Sequence, residues 1–252
     1  MHHSAMRIWT GTSGFAYKEW KGRFYPEKLP QRAFLSHYAG ELPAVEINNT
    51  FYRLPKVDLL MKWAEQVPEG FRFSIKASRR ITHFKRLGLS STDETTYLVE
   101  TCATLGPRLG VILFQMPPNM KKDAGRLAAF LDLLPDGTRA AFEFRNASWF
   151  DDEVRTLLAD RDFALVHADI DDPLPGVPAD RPLPSGSWGY LRMRRLGYTQ
   201  GELERWMERV HGQGWGEAFV FFKHEDEAAG PAMAKDFLSL ADPSHGGAGD
   251  PQ

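Results

Sequence analysis

The chain has 252 residues, 42% hydrophobic and 25% charged, with a net charge of −2 and a pI near 6.5. That is ample for a sizeable apolar core, and it gives no global charge argument for a nucleic-acid or membrane partner. The lone cysteine, Cys102, excludes an internal disulfide and CxxC motifs, and no apolar run reaches the ~20 residues of a membrane-spanning helix. Cys102 sits in an apolar helical run and reads as a small buried hydrophobe. Residues 1–5 read as a tag remnant outside the fold, and the cytoplasm is the default location.

A first strand is predicted over residues 7–13. It leads into an aromatic loop with Phe15, Tyr17, Trp20, Phe24 and Tyr25, and then a helix with Phe34, Leu35, Tyr38, Ala39 and Leu42 on one face. Residues 45–53 read as the second strand, with Glu46, Asn48 and Thr50 on one parity and Val45 and Ile47 on the other. Val57, Leu60, Met61, Ala64 and Val67 mark the next helix, ended by Pro68 and Gly70. A strand over 71–77 is followed by a basic loop over 78–86 and a helix near 93–105. Strands at 110–116 and 139–145 carry helices marked by Leu127, Phe130 and Leu131 and by Val154, Leu157 and Leu158. After a sixth strand at 163–169 the rhythm breaks. Residues 171–187 hold five prolines and no helical periodicity, so a loop replaces the expected helix. Strands at 188–194 and 218–224 each precede a helix, and 241–252 reads as a disordered tail.

About eight strands, most followed by a helix, imply a parallel sheet closed into a (β/α)₈ TIM-like barrel, one α/β domain over residues 7–240. The alternative is an open doubly wound sheet, but no glycine-rich phosphate fingerprint follows any strand.

Active sites of such barrels lie at the C-terminal ends of the strands. Here those ends are polar: Glu46 and Asn48, Ser74 and Lys76, Gln115, Glu143 and Arg145, His167 and Asp169, Arg192 and Arg194, and Lys223 or His224. A buried ion network pairing Glu46 with Lys76, or Glu143 with Arg145, would account for some of them, although such networks add little net stability. Glu46 and Glu143 fit an acid/base pair, one raised by burial and the other held ionised by Arg145 or Lys76. A divalent metal on Glu46, Glu143, His167 and Asp169 is chemically reasonable but opposed by the cations nearby, which suit an anionic ligand instead. The basic loop, with Arg79, Arg80, His83, Lys85 and Arg86, lies on the same mouth. With Tyr17, Trp20, Tyr52, Trp149 and Phe150 it could track a nucleic-acid backbone.

These residues resemble the YecE-like proteins, domain of unknown function 72. The resemblance rests on Gly11-Thr12-Ser13-Gly14-Phe15 with Tyr17 and Trp20, and on Val45-Glu46-Ile47-Asn48 with Thr50-Phe51-Tyr52. It also rests on Ser74 with Lys76-Ala77, Gln115-Met116-Pro117-Pro118, Glu143-Phe144-Arg145 with Ser148-Trp149-Phe150, Ala168-Asp169 and Tyr190-Leu191-Arg192. It covers roughly residues 7–240 and implies a TIM-barrel-like fold without supplying a reaction. The chain departs from that pattern at Asn146, at Arg194 and at Lys223-His224-Glu225-Asp226, where the family places His, His-Gly and Asn-Asn-Asp.

Three functions follow. The first is an enzyme doing acid/base chemistry on a small anionic or sugar-like substrate. Glu46, Glu143 and Lys76 would be catalytic, and Asn48, Gln115, Arg145, Asp169, Arg192, Tyr17 and Trp20 would bind substrate, with no cofactor required. The second is a nucleic-acid-binding or nuclease-like barrel, for which endonuclease IV is a fold-level analogy. The third is a structural barrel with a buried ion network. A monomer or weak dimer is expected.

Overall fold

The structure is a computed structural model that describes residues 6–178, 181–184, 186–223 and 228–241. The expected tag remnant over 1–5, His224 and the tail beyond Ala241 lie outside the described residues. Ala241 itself ends the last helix.

Nine parallel strands form one sheet: β1 (Arg7–Ser13), β2 (Ala44–Ile47), β3 (Arg72–Lys76), β4 (Leu109–Gln115), β5 (Ala140–Glu143), β6 (Ala164–Leu165), β7 (His167–Asp169), β8 (Trp188–Met193) and β9 (Glu217–Phe222). Their order is β6-β5-β4-β3-β2-β1-β9-β8-β7. β6 and β7 are one extended run interrupted at Val166. Its first part pairs with β5 and its second with β8, so this run closes the barrel. Among the described residues seven α-helices cover the outside: α1 (Phe34–Glu41), α2 (Val57–Ala64), α3 (Thr92–Ala103), α4 (Ala124–Leu131), α5 (Asp152–Ala159), α6 (Gln200–His211) and α7 (Ala229–Ala241). One follows each strand except the split sixth, where the described residues of 170–187 form no helix.

The second strand is shorter than its polarity pattern predicts. It ends at Ile47, Asn48 turns into the α region, and a 3₁₀ turn takes residues 49–51. Thr50 is therefore not a strand residue. Its hydroxyl donates to the Lys76 carbonyl at 2.7 Å and ties the turn to β3.

Two apolar zones result. Trp9, Trp188, Tyr190, Phe219 and Phe221 from β1, β8 and β9 fill the barrel, opposite Ala44, Ala141 and Ala164 from β2, β5 and β6. Large residues on one side answer small ones on the other, as close packing requires. The opposite parity of the strands packs against the helices, with Cys102 fully buried there and its thiol pushed up to about 12 by burial. Local signals fix the helix starts. Thr199 and Glu202 form a reciprocal capping box at α6, and Asp123 and Asp151 cap α4 and α5.

Candidate active site at the C-terminal mouth of the barrel

Strand side chains alternate between faces, so the parity that buries Trp9, Ala44, Val111, Ala141 and Tyr190 inside the barrel continues upward to a polar layer. That layer is Ser13, Glu46, Ser74, Lys76, Gln115, Glu143 and Arg192, every one of them buried.

Arg192 is its hub. Its Nε and Nη2 donate to Glu46 Oε2 at 3.0 Å and Oε1 at 2.7 Å, a bidentate grip, while Nη1 donates to Glu143 Oε2 at 2.6 Å. Glu46 also accepts from Ser13 Oγ at 2.8 Å, Asn48 Nδ2 at 3.1 Å and the Tyr190 hydroxyl at 2.7 Å. Since the Tyr190 proton points at Glu46, the Ser74 hydroxyl donates to Tyr190 across 2.6 Å. Burial alone would raise the Glu46 pKa, but the Arg192 charge and these donors bring it to about 2. Glu143 is likewise lowered, against burial, by Arg192 and then Arg194.

Gln115 links this triad to Lys76. Its Nε2 donates to both Glu143 oxygens at 2.9 Å, so its Oε1 is free to accept from Lys76 Nζ at 2.8 Å. Lys76 thus bonds a neutral amide, not a carboxylate, and its ammonium sits 4.3 Å from the centre of the Phe51 ring. Burial, reinforced by Arg192, lowers Lys76 to about 8 although Glu46 and Glu143 pull the other way. The Lys76 amine therefore exchanges its proton near physiological pH.

Over Glu143, the ends of β5, β7 and β8 and the Pro-rich segment enclose a cavity of about 50 Å³ lined by Arg145, Arg181 and Arg194. One water needs ~10–15 Å³ of such volume, so the space suits an oxyanion head group. Among the described residues Arg145 and Arg194 make no ion pair. Arg181 lies 4.7 Å over Phe150. Burial lowers the pKa of Arg194 and of Arg181, and Arg192 next to the first and Arg209 next to the second add to it.

Several expectations need correction. The buried carboxylates pair with Arg192, not with Lys76 or Arg145. Both carboxyls end below the ordinary value despite burial, so the expected split into one raised and one ionised carboxyl is absent, because a single guanidinium serves both. His167 and Asp169 lie on the outward parity. The His167 ring packs 5.2 Å from Trp206 of α6, whereas Asp169 bonds Tyr198 and Trp206 yet, like Ala168, also borders the cavity. Burial pushes His167 down to about 3. The four residues considered for a metal are thus split between two faces of the sheet, and Arg192 stands between Glu46 and Glu143. Trp20 and Trp149 are core residues, 1% and 0% exposed, and not a rim. Tyr17 is half-buried, donates to the Ser13 carbonyl at 2.8 Å, and shares a shallow cleft with Asn48.

From the sequence, Ser74 and Arg194 stand among the polar strand ends without a role, Ser13 and Tyr190 enter only through the motif resemblance, and Arg181 is not singled out. Tyr190 and Ser13 lie on the same parity as Arg192 and Gly11 and could have been found by counting in twos. Arg181 sits in a segment with no period to count.

A family model described as "Protein of unknown function DUF72" matches residues 9–252. The UPF0759 protein YunF of Bacillus subtilis (strain 168) is 25% identical over 275 aligned positions, 95% of this chain and 96% of that protein. The UPF0759 protein YecE of Escherichia coli (strain K12) is 32% identical over 117 positions, 46% of this chain and 43% of that protein. A crystal structure of a DUF72 family protein from Thermotoga maritima MSB8 superposes with a TM-score of 0.76 at 25% identity. It covers 93% of this chain and 98% of its own.

Proposed function

The chain belongs to the DUF72 family, and from that premise we propose that its barrel mouth is the active site of an enzyme moving a proton on a small anionic substrate. The observation that carries this reading is the pairing of two features. Three arginines border one small cavity, and Lys76 titrates at about 8 within the same polar layer. Carboxylate and phosphate groups are the natural ligands of converging guanidinium groups.

In this reading Arg145, Arg181 and Arg194 hold the substrate's anionic end. Lys76 is the general acid/base, positioned by Gln115. Glu143 stays ionised and stabilises positive charge that develops at the reacting centre. Glu46 accepts five hydrogen bonds and is held at a pKa of about 2, which suits an anchor for Arg192 better than a proton carrier. Asn48 and Tyr17, in the adjoining cleft, would meet hydroxyl groups of a sugar phosphate or sugar acid.

The test is a thermal-shift and calorimetric screen against phosphosugars, hydroxy acids and inorganic phosphate. We expect a saturable ligand whose affinity falls in Arg145→Gln/Arg194→Gln. In Lys76→Met the same ligand should still bind but no longer be turned over. A panel in which no anion binds, or one that binds equally to the double variant, would reject this reading.

One observation favours a second reading, a single-stranded nucleic-acid surface. The Arg79 guanidinium lies 5.4 Å from both the Tyr52 and Phe84 rings, and both rings are 67% exposed. Cations interleaved with open aromatic faces suit backbone tracking and base stacking. Oligonucleotide binding that weakens steeply with salt and drops in Arg79→Gln would support it.

A further inference from the structure

We propose that the opposite, N-terminal end of the barrel carries a second anion site, formed by Arg7, Arg72 and Arg108, for a phosphate-type oxyanion. The floor of the barrel is Trp9, near the N-terminal end of β1. The Arg72 guanidinium reaches across from β3 to lie 4.5 Å from the Trp9 ring centre, and that of Arg7 lies 5.4 Å from it. Arg108 enters from the turn before β4, and Arg139 from the start of β5 lies 5.3 Å from the Trp188 ring. Four guanidinium groups therefore converge on one end of the barrel.

Among the described residues one carboxylate, Glu217, lies between them, and both its oxygens are engaged. Glu217 Oε2 accepts from Trp9 Nε1 at 2.7 Å, and Oε1 pairs with Arg139 at 2.5 Å. Arg72 is left with backbone carbonyls, those of Glu69 at 3.2 Å and Phe71 at 3.0 Å. Arg108 Nε is buried with no hydrogen-bond partner among the described residues. Asp132 and Asp162, on the Arg139 side, are engaged with Arg161 and Ser187. After burial, Arg7 is the strongest influence lowering the Arg72 pKa, and Arg139 and Arg108 lower it too.

A purely structural floor would not need this arrangement. Cation–π contacts hold Arg7 and Arg72 on Trp9, but Arg72 donates only through Nη1, to two backbone carbonyls, and the Glu217 charge offsets the mutual repulsion only in part. A buried donor without an acceptor is uncommon in folded proteins and calls for one. A doubly charged oxyanion between Arg7, Arg72 and Arg108 would supply acceptors to all three and remove the repulsion. Its place at the far end of the barrel makes this site independent of the mouth.

The experiment uses the whole chain with the mouth disabled by Arg145→Gln/Arg194→Gln, so that binding seen there cannot come from the mouth. Inorganic pyrophosphate is titrated calorimetrically at fixed ionic strength. We expect saturable one-to-one binding that weakens by roughly tenfold or more when Arg72→Gln or Arg108→Gln is added, the loss from one charged hydrogen-bonding partner. Arg7→Gln, at an exposed position, supplies the same comparison if the other variants fail to fold. No saturable binding in the mouth-disabled chain, or an affinity unchanged by these substitutions, would overturn the proposal.

Discussion

Arg192 is the residue on which both buried carboxylates depend, and removing it should show how much. Arg192→Met leaves Glu46 and Glu143 inside the barrel without their cation, and breaking such a buried pair costs about 3–5 kcal/mol. We expect that loss in urea unfolding at pH 7, and a smaller one when Glu46→Gln and Glu143→Gln are added, since the uncompensated charges go with them. Stability should rise with pH in two separate windows, one set by Glu46 and one by Lys76. Glu46 falls from an ordinary 4.5 to about 2 in the fold. Its contribution is therefore complete above the ordinary value and lost as pH drops towards 2, and Glu46→Gln should flatten that acid limb. Lys76 is lowered from 10.5 to about 8, so between those values the unfolded chain binds the extra proton. Stability should then rise with pH across that window, and Lys76→Met should abolish the rise. Much of this layer was legible at residue level. A carboxylate, an amide and a lysine on strand ends of one parity announce a polar layer, and Glu46, Lys76, Gln115, Glu143 and Arg192 all belong to it. Which cation pairs with which carboxylate was not legible, because partners from β2, β5 and β8 meet only when the barrel closes.

At the level of elements, the junction of β1 and β2 is the most exacting. The Tyr38 hydroxyl from α1 is inserted between them, accepting from the Thr12 N–H at 2.8 Å and donating to the Ala44 carbonyl at 2.9 Å. Tyr38→Phe strands both backbone groups in a dry setting, and we expect a loss of about 2–4 kcal/mol by thermal or urea unfolding. Ser36→Ala, exposed on the same helix, should cost almost nothing by comparison. Gly11 is equally constrained, since an added Cβ would lie 1.8 Å from the Ala44 oxygen. Strand positions were readable from hydrophobic runs, yet faces were not always so. His167 and Asp169 were assigned inward, and one step of register moves every side chain of a strand to the other face. The short run from Ala164 to Asp169, flanked by apolar residues on both parities, carries no internal mark of which face is which. The missing helix after it was legible, because five prolines cannot sustain one.

For the whole molecule, the barrel separates a dry aromatic interior from two charged ends, and the C-terminal end holds the proposed chemistry. That end combines an ionised triad, which fixes the geometry, with an amine lowered to about 8 and three arginines that line one cavity. The central claim is that Lys76 is a proton carrier coupled to anion binding in this mouth. It is tested most directly by the carbon-13 NMR titration of the lysine ε-methylenes, with the Lys76 resonance assigned by its loss in Lys76→Met. We expect the Lys76 resonance to titrate near 8, and to move to higher pH when phosphate occupies the arginine-lined cavity, with no such movement in Arg145→Gln/Arg194→Gln. A Lys76 titration at the ordinary 10.5, or one indifferent to phosphate, would contradict it.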